Sequence, residues 1–512
     1  MSDLDPLQEF ERRMQAMAQT GPAASAELLL EVMDPAAARL FRLGAIPHQF
    51  DVDILQVLAP EHSRGEIQQR CEEFGQLSFV TASIDGWSVH DAVRRHFFSQ
   101  WFKPQVGEEF AVASARLADY FHRQAEVAHG ELAETARRRH MFHLLGADQE
   151  SGFQEFESLL RRARHNRVYS ECSQLFQLVH EYDGFLATRY RLWLAYHEAK
   201  LAADQHNIEQ AETTFQQILK EPDASPELRS AAYVRLGYVH GDRRNWDDAI
   251  ACYERALALA EDNEAAHHSV PRILHDLGAA YREKGDLERA ESLLARSIQM
   301  AQEQQNLSGQ ALAYNSLGVL ALKRRDVRAA IDAFEKSLDA LLRNDELFRT
   351  AQVYNNLGLA YSDLPDWARS AEYFRKSLEI KAKAGDTLGQ ASALNNLARV
   401  QASQGDLKAA IDSSTRAIAL FIDIRALYDA ALARHNRGKL YRRMKENERA
   451  RQDFAEAAEA FRSLGKSAEA AAAAQDLQGL DAKVGLPWWV WAAIVLFGLI
   501  VLLLIIIGLA EA

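Results

Sequence analysis

A period of forty residues organises most of this chain. Four consecutive blocks, 311–350, 351–390, 391–430 and 431–470, align without gaps. A small residue recurs at the eighth position of each block, and the register extends backwards: Gly318, Gly358, Ala398 and Gly438, preceded by Gly278 and Gly237. Self-similarity at such a period is the signature of a stacked repeat protein, in which each unit buries its apolar face against the next. Such a chain presents a long surface, so we expect a binding protein.

Each block predicts two helices separated by a tight turn. In the block that starts at 351, Tyr354, Leu357 and Tyr361 lie three and four residues apart, which places them on one face of a first helix. The turn between helices often contains Gly followed by Asp, as at Gly285-Asp286. Glycine tolerates the positive φ that ends one helix, and aspartate is a good N-cap for the next. The blocks therefore predict helix-turn-helix units.

The blocks resemble the tetratricopeptide repeat. The best matches to its Leu-Gly-x-x-Tyr signature are Leu277-Gly278 with Tyr281 and Leu357-Gly358 with Tyr361. The resemblance covers about 191–480, and the Asn-Asn-Leu runs at 355–357 and 395–397 are similar to the long repeats of the kinesin-light-chain type. It implies an all-α superhelical solenoid of about seven helix pairs, whose concave groove binds a protein or peptide partner.

Residues 36–103, which follow a helical lead-in at 1–35, have a different pattern. Three short helical segments precede two β-like runs, 77–82 and 87–90, joined around Asp85-Gly86, which is a strong hairpin signal. A closing helix follows. This order resembles the winged-helix domain of STAND NTPases, and the run Trp-Ser-Val-His-Asp-Ala-Val-Arg at 87–94 is similar to that family's His-Asp motif. The resemblance implies a small α+β head and an NTPase as one class of partner.

We find no phosphate-binding loop in the sequence that would support a nucleotide-binding role for that motif. A phosphate-binding loop needs G-x-x-x-x-G-K-[ST], and the nearest approach, at 460–467, lacks the first glycine and ends a repeat helix. We therefore interpret His90 and Asp91 as structural, with His90 hydrogen-bonded at the start of the closing helix. The alternative is a degenerate head that docks on an NTPase partner.

The charge balance argues against nucleic acid as a partner. The net charge is −13, and residues 1–110 carry nine Lys/Arg against seventeen Asp/Glu. A head that reads DNA needs a basic stripe. Basic runs do occur at 137–139 and 161–167 in the helical connector 104–190. We interpret them as solvated helix faces, with a dock for an acidic partner or a phosphate as the alternative.

The C-terminal segment is apolar. After a linker at 481–487, residues 488–509 contain no charged side chain, and about twenty apolar residues suffice to span a bilayer. Trp488, Trp489 and Trp491 match the aromatic belt of a membrane interface. The acidic N-terminus has no apolar signal peptide. The sequence therefore predicts one transmembrane helix that acts as a C-terminal anchor, with the bulk of the chain cytoplasmic.

No sequence pattern indicates catalysis. We find neither metal-ligand spacing nor a G-x-S-x-G elbow, and the three cysteines, Cys71, Cys172 and Cys252, are too far apart to suggest a disulfide framework. We therefore expect no enzymatic activity, no cofactor and no metal.

The candidate partner-binding residues are polar side chains of the first helices. Asparagine offers a donor and an acceptor to an extended peptide backbone, and Arg or Lys binds acidic groups. The alternative is that the asparagines only satisfy neighbouring helix ends. The predicted groove residues are Asn315, Gln352, Asn355, Asn356, Asn395, Asn396, Arg399, Asn436, Lys439 and Arg442.

These features predict a membrane-anchored adaptor that binds a protein or peptide in the groove. The alternative function is a membrane-tethered regulator that acts with an NTPase, or in transcription, through the winged-helix-like head.

Overall fold

A computed structural model describes residues 22–84, 86–166, 168–344, 346–481, 492–493 and 495–499. The chain divides into two compact units, Met1–Leu228 and Arg229–Ala512. Apart from one two-stranded hairpin, the regular structure of the described residues is helical. The all-helical repeat architecture predicted from the sequence is thereby confirmed.

The first unit contains eleven helices and the hairpin among its described residues. In chain order they are α1 (Pro22–Val32), α2 (Pro35–Gly44), α3 (Val52–Leu58), α4 (Arg64–Phe74), β1 (Val80–Ser83), β2 (Gly86–Val89), α5 (Asp91–Gln100), α6 (Gly107–Val127), α7 (Glu131–Ala147), α8 (Gln149–His165), α9 (Tyr169–His180), α10 (Thr188–Asp204) and α11 (Ile208–Lys220).

The antiparallel hairpin lies where the sequence predicted it. Val80 pairs with Val89 and Ser83 with Gly86. Gly86 has a φ of 118°, and a side chain there would collide with the carbonyl oxygen of Phe50. Only glycine satisfies both demands, because L residues rarely adopt that φ. The order of three helices, hairpin and helix is therefore present, and it shares one hydrophobic core with the helices of the connector.

The closing helix α5 begins differently from the prediction. His90 is its N-cap residue, but the exposed imidazole makes no capping hydrogen bond. The backbone N–H of His90 instead donates to the carbonyl of Phe79 over 2.7 Å, which continues the hairpin ladder. Asp91 forms an exposed ion pair with Arg95 one turn later. His90 is therefore hydrogen-bonded at the start of α5, as predicted, but through its backbone and not its side chain, because hairpin geometry positions this residue.

A buried cation lies at the centre of the first unit. Arg94 of α5 is 2% exposed and forms an ion pair of 2.7 Å with Glu181. Its guanidinium also donates to the carbonyl of Pro47 over 3.1 Å and lies 5.1 Å from the Phe98 ring centroid. His48 contacts the other carboxylate oxygen of Glu181 over 2.8 Å. Glu181 is therefore the main counter-charge of a cation that water hardly reaches.

His143 of α7 makes the stability of this unit depend on pH. The ring is 1% exposed, stacks on Phe121, and its Nδ1 has no hydrogen-bond partner among the described residues. Burial, aided by nearby Arg94 and Arg139, holds the pKa of His143 well below its usual range. A histidine that is neutral when folded takes up its proton on unfolding, so its contribution is present above about pH 6.5 and is lost as the pH falls.

We therefore expect His143→Leu to flatten the acid side of the stability profile. Urea unfolding between pH 7 and 5 should show a shallower loss of stability, by up to about 1.4 kcal/mol per pH unit, which is one proton. His48 and His197 have pKa values lowered by burial too, so part of the slope should remain. An unchanged slope in the variant would contradict the assignment.

The second unit consists of consecutive helix pairs. They are α12 (Pro226–Asp242) with α13 (Trp246–Glu261), α14 (Val270–Lys284) with α15 (Leu287–Glu303), α16 (Leu307–Lys323) with α17 (Val327–Arg343), α18 (Leu347–Asp363) with α19 (Trp367–Lys383), α20 (Thr387–Ser403) with α21 (Leu407–Asp423), α22 (Leu427–Arg443) with α23 (Asn447–Ser463), and the final α24 (Ser467–Asp481).

The predicted turn chemistry is observed between the helices of a pair. Gly285 ends α14 with a φ of 99°, and the side chain of Asp286 accepts the N–H of Arg289 over 3.1 Å. The same arrangement recurs at Asp406, whose carboxylate accepts the N–H of Ala409 over 3.0 Å. In these two turns, both ends thus satisfy backbone groups that a helix leaves unpaired.

Within a pair, a small residue of the first helix faces a large one of the second. A Cβ added at Gly318 would lie 2.5 Å from the Phe334 ring, and one added at Gly358 would lie 2.8 Å from the Phe374 ring. Both distances are below van der Waals contact, so the two helices approach each other as closely as glycine allows. This is the physical reason for the small residue that marks the repeat register.

The prediction of a membrane-spanning helix at 488–509 is contradicted by the structure. No helix in the part of the chain that the structure describes is both long and apolar enough to cross a membrane. Of the predicted span only 492–493 and 495–499 are described, and Trp488, Trp489 and Trp491 lie outside the described residues. The prediction rested on the length and apolar composition of the segment and on its tryptophans, and these sequence features do not by themselves establish a continuous helix. The predicted localisation, a single-pass C-terminal anchor with a cytoplasmic bulk, is wrong on the same finding.

Candidate functional site

Positions five and six of successive blocks form a polar row along the first helices. We call these residues the first-helix row: His275, Asp276, Asn315, Ser316, Asn355, Asn356, Asn395, Asn396, His435 and Asn436, continued by Asp476 of α24.

Side chains of the first-helix row hydrogen-bond from one repeat to the next. The Asn356 carboxamide donates to Asn315 over 2.9 Å, and Asn396 donates to Asn355 over 3.2 Å. Both bonds join residues 41 positions apart, from position five of one block to position six of the next. Consecutive first helices therefore lie side by side, offset by one residue. These bonds support the alternative that the asparagines satisfy neighbouring helices.

The first contact of the row contains a histidine and a serine. His275 Nε2 lies 2.7 Å from Ser316 Oγ, and His275 Nδ1 lies 2.9 Å from Asp276 Oδ1. Arg272 and Tyr238 also contact the Asp276 carboxylate. Burial opposes ionisation of Asp276, but the bonds from His275 and Arg272 outweigh it, and the pKa of Asp276 lies below its usual range. The carboxylate is thus charged and fully engaged inside the protein.

The order of hydroxyl, imidazole and carboxylate matches that of a serine nucleophile, but its surroundings do not. Ser316 is buried in the middle of α16, where the neighbouring amides are committed to helix hydrogen bonds. No pair of N–H donors is therefore left there to stabilise an oxyanion. The contact also occupies the same two positions as the Asn315–Asn356 bond. We interpret it as a structural bond between repeats.

At the other end of the row, Asp476 contacts two cationic side chains and one histidine. It lies 2.9 Å from His435 Nε2, 2.7 Å from Arg442 Nη1 and 3.8 Å from Lys439 Nζ. Partial burial raises the pKa of Asp476, but the bonds from Arg442 and His435 outweigh it and leave the pKa lowered. Lys439 and Arg442, predicted as partner-binding cations, therefore share one carboxylate of the chain's own C-terminal helix.

Between these two ends the row is interrupted once. Asn395 and Asn436 occupy the bonding positions, yet within the described residues neither side chain has a hydrogen-bond partner, and both are half-buried. Arg399, one turn along α20 from Asn395, is exposed and has no carboxylate partner in the described part of the chain. We call Asn395, Asn436 and Arg399 the open rung. Gln352 is also exposed but lies in the repeat before that of Asn395 and Arg399.

Sequence reasoning missed Asp476 and His275, which complete the row at its two ends. Asp476 lies in an alanine-rich helix beyond the four aligned blocks, and His275 lies before them. The signal that could have found both is the offset of 41 residues, since 435 plus 41 gives 476 and 275 plus 41 gives 316.

Models of the tetratricopeptide repeat family match residues 228–303, 349–423 and 431–463. The predicted tetratricopeptide repeats are thereby confirmed. No curated protein matches the chain.

Among solved structures, the chain is similar to a signal transduction ATPase with numerous domains (STAND) that has a tetratricopeptide repeat sensor, from Pyrococcus horikoshii. The TM-score is 0.56 at 12% identity, and the match covers 86% of this chain but only 64% of that one. At this identity the similarity shows the fold alone.

Two further structures are more distant. A Rap protein complexed with competence and sporulation factor gives a TM-score of 0.44 at 14% identity, over 65% of this chain and 96% of that one. A putative kinesin light chain from Podosopora anserina gives 0.34 at 17% identity, over 39% of this chain and 97% of that one.

Proposed function

We propose that this chain is an interaction scaffold that binds an extended peptide segment of a protein partner at the open rung. The observation that carries the proposal is the interruption of the first-helix row at Asn395 and Asn436. Elsewhere in the described part of the row, a side chain at position five bonds to one at position six of the next repeat. At the open rung two half-buried carboxamides and one cation remain available to a ligand.

The chemistry of the open rung suits a peptide with an acidic group. Each carboxamide can donate to a backbone carbonyl and accept from a backbone N–H, so Asn395 and Asn436 together can hold an extended backbone. Arg399 can form a two-pronged hydrogen bond with a carboxylate. Lys439 and Arg442 already share the Asp476 carboxylate, whereas Arg399 has no carboxylate partner among the described residues and can select an acidic side chain.

The test compares the open rung with a closed rung, by which we mean two row residues that hydrogen-bond to each other, such as Asn315 and Asn356. A peptide selected on the full chain from a random library with one fixed aspartate is titrated by fluorescence polarisation. We expect Asn395→Ala/Asn436→Ala to weaken its binding at least about tenfold, because two hydrogen bonds of about 1 kcal/mol each are lost. Arg399→Ala should remove the preference for the aspartate. The matched control, Asn315→Ala/Asn356→Ala, disrupts a closed bond and should leave the affinity within about twofold.

Two results would count against this function. Equal losses in the open-rung and closed-rung variants would mean that the substitutions act through the stability of the repeats. Unchanged affinity in the open-rung variant would mean that the peptide binds elsewhere.

A second candidate function is regulation of an NTPase partner through the winged-helix-like head, residues 36–103. The observation that favours it is the fold similarity, over 86% of this chain, to a STAND ATPase with a repeat sensor. Exposed His90, with the Asp91–Arg95 ion pair beside it, supplies the polar contact surface. If this function holds, His90→Ala/Asp91→Ala should abolish capture of an NTPase by the full chain, while the open-rung variant should not.

A further inference from the structure

A row of exposed apolar side chains runs along one edge of the second unit. It comprises Leu347, Phe348, Leu388, Ile424, Leu427 and Tyr428, which we call the apolar edge. Phe348 is 60% exposed, and Leu388 and Leu427 are each 52% exposed. All six lie at, or just before, the starts of the first helices α18, α20 and α22.

Contacts between neighbouring repeats show that these helix starts lie side by side. Arg349 Nη1 donates to Ser308 Oγ over 2.7 Å, which joins the start of α18 to that of α16. Tyr428 OH donates to Glu469 over 3.2 Å, which joins the start of α22 to that of α24. Phe348, Leu388 and Tyr428, each forty residues from the next, occupy equivalent positions at the starts of three consecutive first helices.

At the position of Phe348, Leu388 and Tyr428, the fold itself does not require an apolar residue. The residues forty before Phe348 and forty after Tyr428 are Ser308 and Ala468, and both stand at equivalent helix starts. Contiguous exposed apolar surface on a folded protein marks an interaction site more often than chance. The three central repeats therefore carry an apolar surface that packing within the unit does not explain.

The charges within the edge indicate what covers it. Arg425 lies in the loop before α22, with Asp423 two residues before it and Asp429 four residues after it. None of the three side chains has an ion-pair partner within the described residues. In a chain whose net charge is −13, this edge combines apolar side chains with unpaired charges of both signs. Two copies placed face to face can pair Arg425 of each with Asp423 or Asp429 of the other.

We propose that the apolar edge is the interface between two copies of this chain related by a two-fold axis. In such an interface the same residues serve on both sides, so each contact is made twice. Leu427 and Phe348 of each copy are covered by the apolar edge of the other, and Arg425 pairs with Asp423 of the second copy. The open rung lies on other residues of these helices, so dimerisation and peptide binding are separate properties.

Sedimentation velocity of the full chain over a wide concentration range tests the proposal. We expect a reversible dimer whose dissociation constant rises at least about a hundredfold in Leu427→Glu, because a buried leucine is lost in both copies. The matched control is Leu132→Glu, since Leu132 of α7 is an exposed leucine of the first unit outside the apolar edge, and it should leave dimerisation unchanged.

A charge swap distinguishes self-association from binding of another protein. Arg425→Asp should weaken the dimer at least about threefold, and adding Asp423→Arg in the same chain should restore it, because the pairs are reciprocal. A chain that stays monomeric overturns the proposal, and is the result expected if a helix of another protein covers the edge. A dimer that Leu427→Glu leaves intact, or a charge swap that restores nothing, also overturns it.

Discussion

Glu181→Leu is expected to destabilise the first unit by about 3–5 kcal/mol, because it leaves a buried guanidinium without its counter-charge. Arg94 is 2% exposed and pairs with Glu181 over 2.7 Å. The carbonyls of Pro47 and Ile46 still accept from the guanidinium, but they carry no net charge. The side chain cannot turn into water, since the rings of Phe98 and Phe142 lie over it.

A double-mutant cycle separates loss of the ion pair from loss of packing. Arg94→Met removes the buried charge itself, so the double variant Arg94→Met/Glu181→Leu should cost about 2 kcal/mol less than the sum of the two single changes. The measurement is hydrogen exchange of the α5 amides in the full chain, which reports opening of the first unit.

The matched control is the other ion pair of the same helix. Arg95 and Asp91 are 66% and 69% exposed, so water screens their attraction. Asp91→Ala should therefore cost no more than about 0.5 kcal/mol. If Glu181→Leu were no more costly than Asp91→Ala, the buried pair would not be a principal source of stability in this unit.

The elements predicted correctly are those that short stretches of sequence determine. The hairpin around Gly86 and the turn at Gly285-Asp286 depend on residues next to each other, because φ preference and N-capping act within one turn. The repeat register could be predicted for a related reason. One small residue in forty marks where two helices touch, and that contact recurs within each block.

The candidate site could be predicted only in part. The row of asparagines was found, but whether each one is free depends on how far consecutive first helices slide past each other. The observed offset of 41 residues brings Asn356 to Asn315 and Asp476 to His435, so most of the predicted ligand groups bind within the chain. The offset between two packed helices is a tertiary property, and it cannot be calculated from the forty-residue period of the sequence. The position of Arg94 could not be predicted for the same reason, since Glu181 is 87 residues away.

Phe334→Ala is expected to cost about 3–5 kcal/mol in the second unit, because it removes a fully buried ring from a tight contact. Phe334 is 0% exposed and its ring lies against the backbone of Gly318. The cavity would form between α16 and α17, two helices of one pair. Hydrogen exchange of the amides in these two helices should report the loss most strongly, because stability in repeat proteins is carried by local and nearest-neighbour contacts.

The reverse substitution tests the same contact from the other side. Gly318→Ala would normally stabilise a helix by up to about 1 kcal/mol, and Gly479→Ala, where an added Cβ meets nothing within 4 Å, should do so. At Gly318 the Cβ would lie 2.5 Å from the ring, so we expect a loss of about 1–3 kcal/mol instead. If Gly479→Ala raises the stability and Gly318→Ala lowers it, the loss at Gly318 comes from the contact with the ring and not from helix propensity.

In one block of the sequence, both members of this pair differ in size in opposite directions. In the block 391–430 the small position is Ala398 instead of glycine, and the position sixteen residues later is Ser414 instead of an aromatic residue. The larger first residue thus accompanies a smaller second one, as a shared volume requires. We accordingly expect Phe334→Leu to recover at least half of the stability lost in Gly318→Ala. In the equivalent pair of an earlier repeat, a Cβ added at Gly278 would lie 3.1 Å from Leu294, so a leucine leaves more room than a phenylalanine. Strict additivity of the two changes would show that the glycine and the ring do not share this space.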